Sequence, residues 1–246
     1  MAFRSFTLSS KFLRHSKFLS FRSLSTETET PQHLFERELY QDNKVVRLVL
    51  NAPKTRNSLS LALIESLFKE LQEIDSIEKI RAVILAGKGP AFSAGHDLKE
   101  LTTGKGSEYH KEVFNKCTQL LTFIQRMQLP VIAEIDGVAA AAGCQLISSC
   151  DVVVASPTST FSVPGQRVGL FCSTPGVALV RQVPKKIALD MLLTGRSITA
   201  EEALRAGLVS RISKEGEEPR IEALKVAEEI CKYSRNVTAH SGIFWK

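Results

Sequence analysis

The apolar positions of the chain change period along its length, and the changes mark its elements. Residues 44–50 form a β-branched run that stops at Asn51-Ala52-Pro53, which predicts a strand and then a turn. From 61 to 74 the apolar residues Leu63, Ile64, Leu67, Phe68, Leu71 and Ile74 recur every three or four positions, as one helix face does. Ser60 stands where its hydroxyl can cap that helix. A buried type of strand is expected over 81–85, a Gly/Pro/Ser loop over 87–95, and a helix over 107–127. The run 130–135 predicts a strand closed by Asp136-Gly137, and the small apolar residues 139–149 predict a buried helix. A strand follows over 151–155, then helices over 174–183 and 185–193 with Pro184 between them. Thr199 and Glu202 make a capping box and Gly207 a stop, so a helix is expected over 199–206. A strand over 208–212 and a helix over 220–233 complete the pattern.

Strands alternating with helices predict an α/β fold with parallel pairing through βαβ units. No G-x-G-x-x-G and no P-loop occurs, so a nucleotide-binding doubly wound sheet is unsupported. No apolar run approaches the ~18 residues needed to span a bilayer. The five cysteines, Cys117, Cys144, Cys150, Cys172 and Cys231, form no C-x-x-C and read as buried free thiols in a reduced interior.

Charge changes the picture at one end. The net charge of +6 suggests a polyanion partner, but residues 1–26 carry Arg4, Lys11, Arg14, Lys17 and Arg22 with no acid. The remainder holds 27 basic and 26 acidic residues, so the body shows no nucleic-acid signature. An Arg- and Ser-rich, acid-free N-terminus interleaved with Phe and Leu reads as a mitochondrial transit peptide over 1–26. Residues 27–43 are then a linker and lead-in, and the folded domain is expected over 44–240.

Two segments carry candidate chemistry. The first, Ala91-Phe-Ser-Ala-Gly-His-Asp-Leu-Lys-Glu-Leu101, reads as a strand exit, a small-residue turn and a short helix. The second, Asp136-Gly-Val-Ala-Ala-Ala-Ala-Gly-Cys-Gln-Leu146, reads as a strand exit into a helix of small residues. Each would present backbone N–H groups at a helix start with no bulky side chain in the way. Facing one another, they would hold an oxyanion between two donors, each worth roughly 3–4 kcal/mol in a transition state. Taken singly, small residues also serve tight helix–strand packing.

With a third stretch, 194–210 (T-G-R-S-I-T-A-E-E-A-L-R-A-G-L-V-S), these segments resemble the enoyl-CoA hydratase/isomerase (crotonase) family in order and spacing, from about 45 to 233. The resemblance implies a spiral of ββα turns, usually trimeric, and a coenzyme A thioester as substrate or ligand, with no metal and no other cofactor. It implies oxyanion donors at the N–H of His96 and of Ala142, where the family usually has glycine. It implies coenzyme A contacts along Ala94, His96, Asp97, Leu98 and Lys99. It also implies a C-terminal helical extension, which this chain is expected to lack, with 241–246 a divergent tail.

The departures bear on activity. The two glutamates that activate water in hydratases of the family fall at Gln145 and Gly165. No Asp or Glu occurs in 137–150 or 152–189 to replace them. General acid–base catalysis contributes about 10²–10⁴-fold, so weak or absent hydration is expected. Three readings stay open: a mitochondrial matrix acyl-CoA protein of fatty-acid metabolism, a methylmalonyl-CoA decarboxylase-like enzyme using His96, and a non-catalytic thioester-binding or regulatory subunit. The helix over 61–74, with Lys69 as its one lysine, makes no case for RNA binding.

Overall fold

A computed structural model describes residues 34–239. The expected transit peptide, 1–26, and the tail, 241–246, lie outside the described residues. The first element precedes the first expected strand. Strand β1 (Phe35–Tyr40) turns back through Gln41, Asp42 and Asn43, all at positive φ, and pairs antiparallel with β2 (Val45–Leu50). The lead-in therefore contributes a strand to the sheet. Its Glu36-Arg37-Glu38 centre is too polar to show a strand period.

Helix α1 (Leu61–Ser76) buries Leu63, Ile64, Leu67, Leu71 and Ile74, and Ser60 Oγ accepts the Leu63 N–H at 3.3 Å. The chain then repeats one unit. Strands β3 (Ala82–Gly87) and β4 (Ala91–Ser93) lead into α2 (Gly106–Arg126). Next, β5 (Val131–Ile135) and β6 (Val138–Ala140) lead into α3 (Ala142–Ser148). Then β7 (Val152–Ala155) and β8 (Thr160–Ser162) lead into α4 (Ser173–Gln182). Helix α5 (Lys185–Thr194), β9 (Ser197–Thr199), α6 (Ala200–Ala206), β10 (Arg211–Ile212) and α7 (Pro219–Cys231) follow.

Each ββα turn gives one strand to each of two sheets. The larger runs β1-β2-β3-β5-β7-β10, parallel apart from β1, and the smaller runs β4-β6-β8-β9, parallel apart from β9. This is the expected spiral, and the smaller sheet is its unforeseen part. The segment 139–149 is not one helix: it begins in β6, breaks at Ala141 and enters α3 at Ala142. The strand expected over 208–212 shrinks to two residues, because the amides of Leu208 and Val209 both wrap onto Ala203 O at the end of α6.

One face of the larger sheet joins α1, α2 and the small sheet in the main core. The other face packs Val45, Ile84, Ile132 and Val154 against Ala223, Val226 and Ala227 of α7. Under that second layer lies a buried ion pair. Arg47 on β2 donates Nε to Glu134 Oε2 (2.8 Å) and Nη2 to Glu134 Oε1 (2.7 Å) on β5. Its Nη1 reaches Glu38 Oε2 at 3.0 Å, which also accepts the Tyr40 hydroxyl at 2.6 Å. Burial alone would lower the guanidinium pKa, but the two carboxylates outweigh it and raise it.

The capping box at α6 forms as its residues predict: Glu202 N–H donates to Thr199 Oγ1 (3.2 Å), and Thr199 N–H to Glu202 Oε2 (2.9 Å). Thr199→Ala is expected to cost about 1 kcal/mol, seen as a lower urea midpoint with an unchanged slope. No helix among the described residues is long and apolar enough to cross a membrane.

Candidate functional site

The first wall is built on Asn57, fully buried at φ +51. It accepts the Ala52 N–H (2.9 Å) and donates to Lys88 O (3.0 Å) and Ala91 O (2.7 Å), which fixes the entry to β4. Ser93 Oγ donates to Asn57 O (2.8 Å) and accepts the Gly95 N–H (3.2 Å). Gly95 sits at φ +93, and its carbonyl accepts the Leu59 N–H at 2.8 Å. His96 follows directly.

Beyond His96 the expected short helix is absent. Residues 98–101 are turns, closed by Glu100 N–H to Asp97 O (3.0 Å) and Leu101 N–H to Leu98 O (3.2 Å). Asp97 Oδ1 accepts the Lys99 N–H (3.0 Å), and Glu100 Oε2 accepts the Leu61 N–H (2.8 Å) at the start of α1. Both acids thus hold the loop in place.

The second wall is the head of α3. Ala141 adopts φ +49, ψ −119, a region nearly reserved for glycine, at a cost of about 1–3 kcal/mol. Its N–H donates to Ser162 O (2.9 Å) and its carbonyl accepts the Gln145 N–H (3.0 Å). Ala142 opens the helix, where an N–H has no intrahelical acceptor. The expectation of a donor at a helix start therefore holds for Ala142 and not for His96.

Glycines bring the two walls together. A Cβ on Gly95 would lie 2.8 Å from Ala141 Cβ and 3.1 Å from Ala142 N. One on Gly143 would lie 2.4 Å from Ser93 O. The two segments singled out in the sequence are in van der Waals contact.

Between them opens a cavity of about 510 Å³. Of the expected site residues, Ala94, His96, Leu98, Ala142 and Gly165 line it. Asp97, Lys99 and Gln145 are not in its wall. Sequence reasoning missed Phe114 of α2 and the stretch Val168, Leu170, Phe171 and Cys172 ahead of α4. Phe114 stands off the buried stripe of its helix and is 36% exposed. The 168–172 stretch has no helix or strand period and gave none.

The wall is almost uncharged: His96 and Cys172 are its titratable side chains, and no Asp or Glu is among them. The His96 ring meets Phe114 edge-on, with centroids 5.1 Å apart. Burial lowers its pKa and favours the neutral imidazole, opposed in part by the Leu59 backbone. Its Nδ1 is buried with no partner among the described residues, as is Gln145 Oε1. Gly165 lies in a tight turn over Pro164–Val168. Its N–H donates to Cys172 Sγ (3.2 Å) and its carbonyl accepts the Leu170 N–H (2.9 Å). Burial raises the Cys172 thiol pKa, against the Gly165 N–H, which lowers it.

Comparison with known proteins agrees with this geometry. A family model described as enoyl-CoA hydratase/isomerase matches residues 40–241. The mitochondrial enoyl-CoA hydratase domain-containing protein 3 of Xenopus laevis is 49% identical over 208 residues, covering 85% of this chain and 70% of the relative. Its human counterpart is 49% identical over 192 residues, covering 78% and 63%. The chain thus spans 63–70% of the length of these relatives. The crystal structure of the human protein matches with a TM-score of 0.82 at 44% identity, over 86% of this chain and 82% of that one. An enoyl-CoA hydratase from Mycobacterium smegmatis matches with a TM-score of 0.81 at 40% identity, over 86% and 81%. With three ββα turns, two sheets and an abutting pair of amide-bearing loops, the chain belongs to the enoyl-CoA hydratase/isomerase family, with its crotonase fold.

Proposed function

We propose that the chain binds acyl-CoA thioesters, with the thioester oxygen between the N–H groups of His96 and Ala142 and the acyl chain in the 510 Å³ cavity. The observation that supports this is the contact of the two loops through Gly95, beside an apolar, uncharged cavity that His96 and Ala142 both line. Coenzyme A would run past Ala94 and Leu98 at the mouth, with Asp97 shaping the loop and Lys99 exposed beside it. Hydration by this protein is weak or absent. The two glutamate positions hold Gln145 and Gly165, and the cavity wall has no carboxylate. The role fits fatty-acid metabolism in the mitochondrion, the compartment named for its relatives, and on this reading the chain works in the matrix. A homotrimer, as in the family, is part of the same reading.

Calorimetric titration with octanoyl-CoA tests it. The natural chain is expected to bind octanoyl-CoA more tightly than free coenzyme A. Gly95→Ala, which pushes a methyl between the two loops at a positive φ, is expected to lose that difference, with far-UV circular dichroism showing whether the fold survives. Equal heats for the ester and for coenzyme A with the natural chain would refute the reading.

His96, drawn toward its neutral form in an acid-free wall, favours one second reading. An anionic malonyl-type thioester would meet no repulsion there, and the amides would hold the enolate left as CO₂ departs. CO₂ release from methylmalonyl-CoA decides between the two.

A further inference from the structure

Cys172 has no part in the reading above, yet it occupies the place a side chain at 165 would need. Its Sγ accepts the Gly165 N–H at 3.2 Å and lies 2.7 Å from where a Cβ on Gly165 would project. The residue is 7% exposed and stands in the cavity wall. A thiol thus stands beside Gly165, where the resemblance to the family expects its second glutamate. The same wall holds His96, whose shielded Nδ1 has no partner among the described residues. A buried polar atom without a partner points to a ligand group or a transferable proton that completes it.

Resting on the thioester-binding reading, we infer that Cys172 is a covalent capture site for α,β-unsaturated acyl thioesters. Two amides on the thioester oxygen draw electrons from the conjugated chain and make its β-carbon electrophilic. The Cys172 sulfur adds to that carbon. The S–Cβ bond forms, the π pair of the double bond moves through Cα to the thioester oxygen, and the His96 and Ala142 amides hold the resulting enolate. The proton that leaves sulfur ends on Cα, so the step balances without a further acid or base. The thioester stays intact, nothing is oxidised or reduced, and loss of the α-proton reverses the step. Burial favours the protonated thiol while the Gly165 N–H favours the thiolate. A saturated thioester has no electrophilic β-carbon and binds without reaction.

The test uses the full chain with trans-2-octenoyl-CoA, and octanoyl-CoA in parallel. Intact mass is read under denaturing conditions, the adduct is mapped by peptide digestion, and octanoyl-CoA binding is measured by calorimetry. The expected result is a single adduct of the whole enoyl-CoA mass on Cys172, absent with octanoyl-CoA and absent in Cys172→Ser. No adduct while octanoyl-CoA binds overturns the capture site and leaves the thioester reading standing. An adduct mapped to Cys117 or Cys144, or one that persists in Cys172→Ser, also overturns it. Failure of both esters to bind overturns the two together. The mapping is done on the natural protein, so the result does not depend on how well Cys172→Ser folds.

Discussion

Glu134→Ala is expected to destabilise the fold by about 3–5 kcal/mol, the cost of leaving one buried charge without its partner. Arg47 and Glu134 have side chains 10% and 7% exposed, and two of the three Arg47 hydrogen bonds go to Glu134. Glu38, one-third exposed, is the remaining partner and cannot replace a bidentate one. At roughly 2–4 °C per kcal/mol for a domain of this size, the melting temperature should fall by about 6–20 °C. The double replacement Arg47→Met with Glu134→Leu removes both charges and keeps apolar volume beneath α7. It should recover most of the loss, since buried pairs exchanged for apolar groups are often neutral or better. If the single variant melts within a degree or two of the natural chain, water reaches the pair and its burial is not what matters.

Restoring the two carboxylates should not restore hydration. On the proposed reading the natural chain lacks both groups, each worth about 10²–10⁴-fold, and crotonyl-CoA hydration should be far below ordinary enzymatic rates. At Gln145 the exchange to Glu is sterically mild, although the shielded Oε1 position would push a carboxyl toward its neutral form. At Gly165 it is not mild. The first carbon of any side chain would stand 2.4 Å from Leu170 O and 2.7 Å from Cys172 Sγ. Overpacking of this kind costs about 1–3 kcal/mol and sometimes more, and here the obstacle includes backbone. Gly165→Glu is expected to melt lower than Gln145→Glu, and the double variant to remain inactive unless 166–172 is rebuilt with it. Hydration by the natural chain at an ordinary rate, measured as loss of the enoyl absorbance, would show that the carboxylates are dispensable. A well-folded, active double variant would show that the turn yields easily.

Legibility in the sequence followed the length over which a pattern can repeat. Helix α1 showed in six apolar residues at helical spacing with a serine cap, and α6 in its capping box and closing glycine. The smaller sheet did not show, because each of its strands is three residues long and offers at most two side chains to a face. No period can be read from two positions. The two site segments were legible from their small residues and order, yet which amide heads a helix was not. That depends on Asp97 bonding locally and on Glu100 reaching the Leu61 N–H at the start of α1, which hold turns where a helix was expected. Arg47 read as one letter of an apolar run, for its partner lies 87 residues away. Cys172 read as an inert thiol, because its approach to Gly165 is set by a tight turn that no local pattern announces.

The antiparallel strand β1 has a consequence for self-association. Among the described residues it is the last strand on its side of the larger sheet, and its centre carries Glu36, Arg37 and Glu38. Behind it, β2 (Val-Val-Arg-Leu-Val-Leu) is buried at all six positions. Were the chain trimmed to begin at Lys44, that strand would become a bare apolar edge with unpaired N–H and C=O groups, a template for pairing with its own copies. Arg47 would also lose Glu38 at that margin. The polar lead-in strand thus acts as a guard against aggregation, and its charged, poorly patterned sequence suits that task better than a regular strand would.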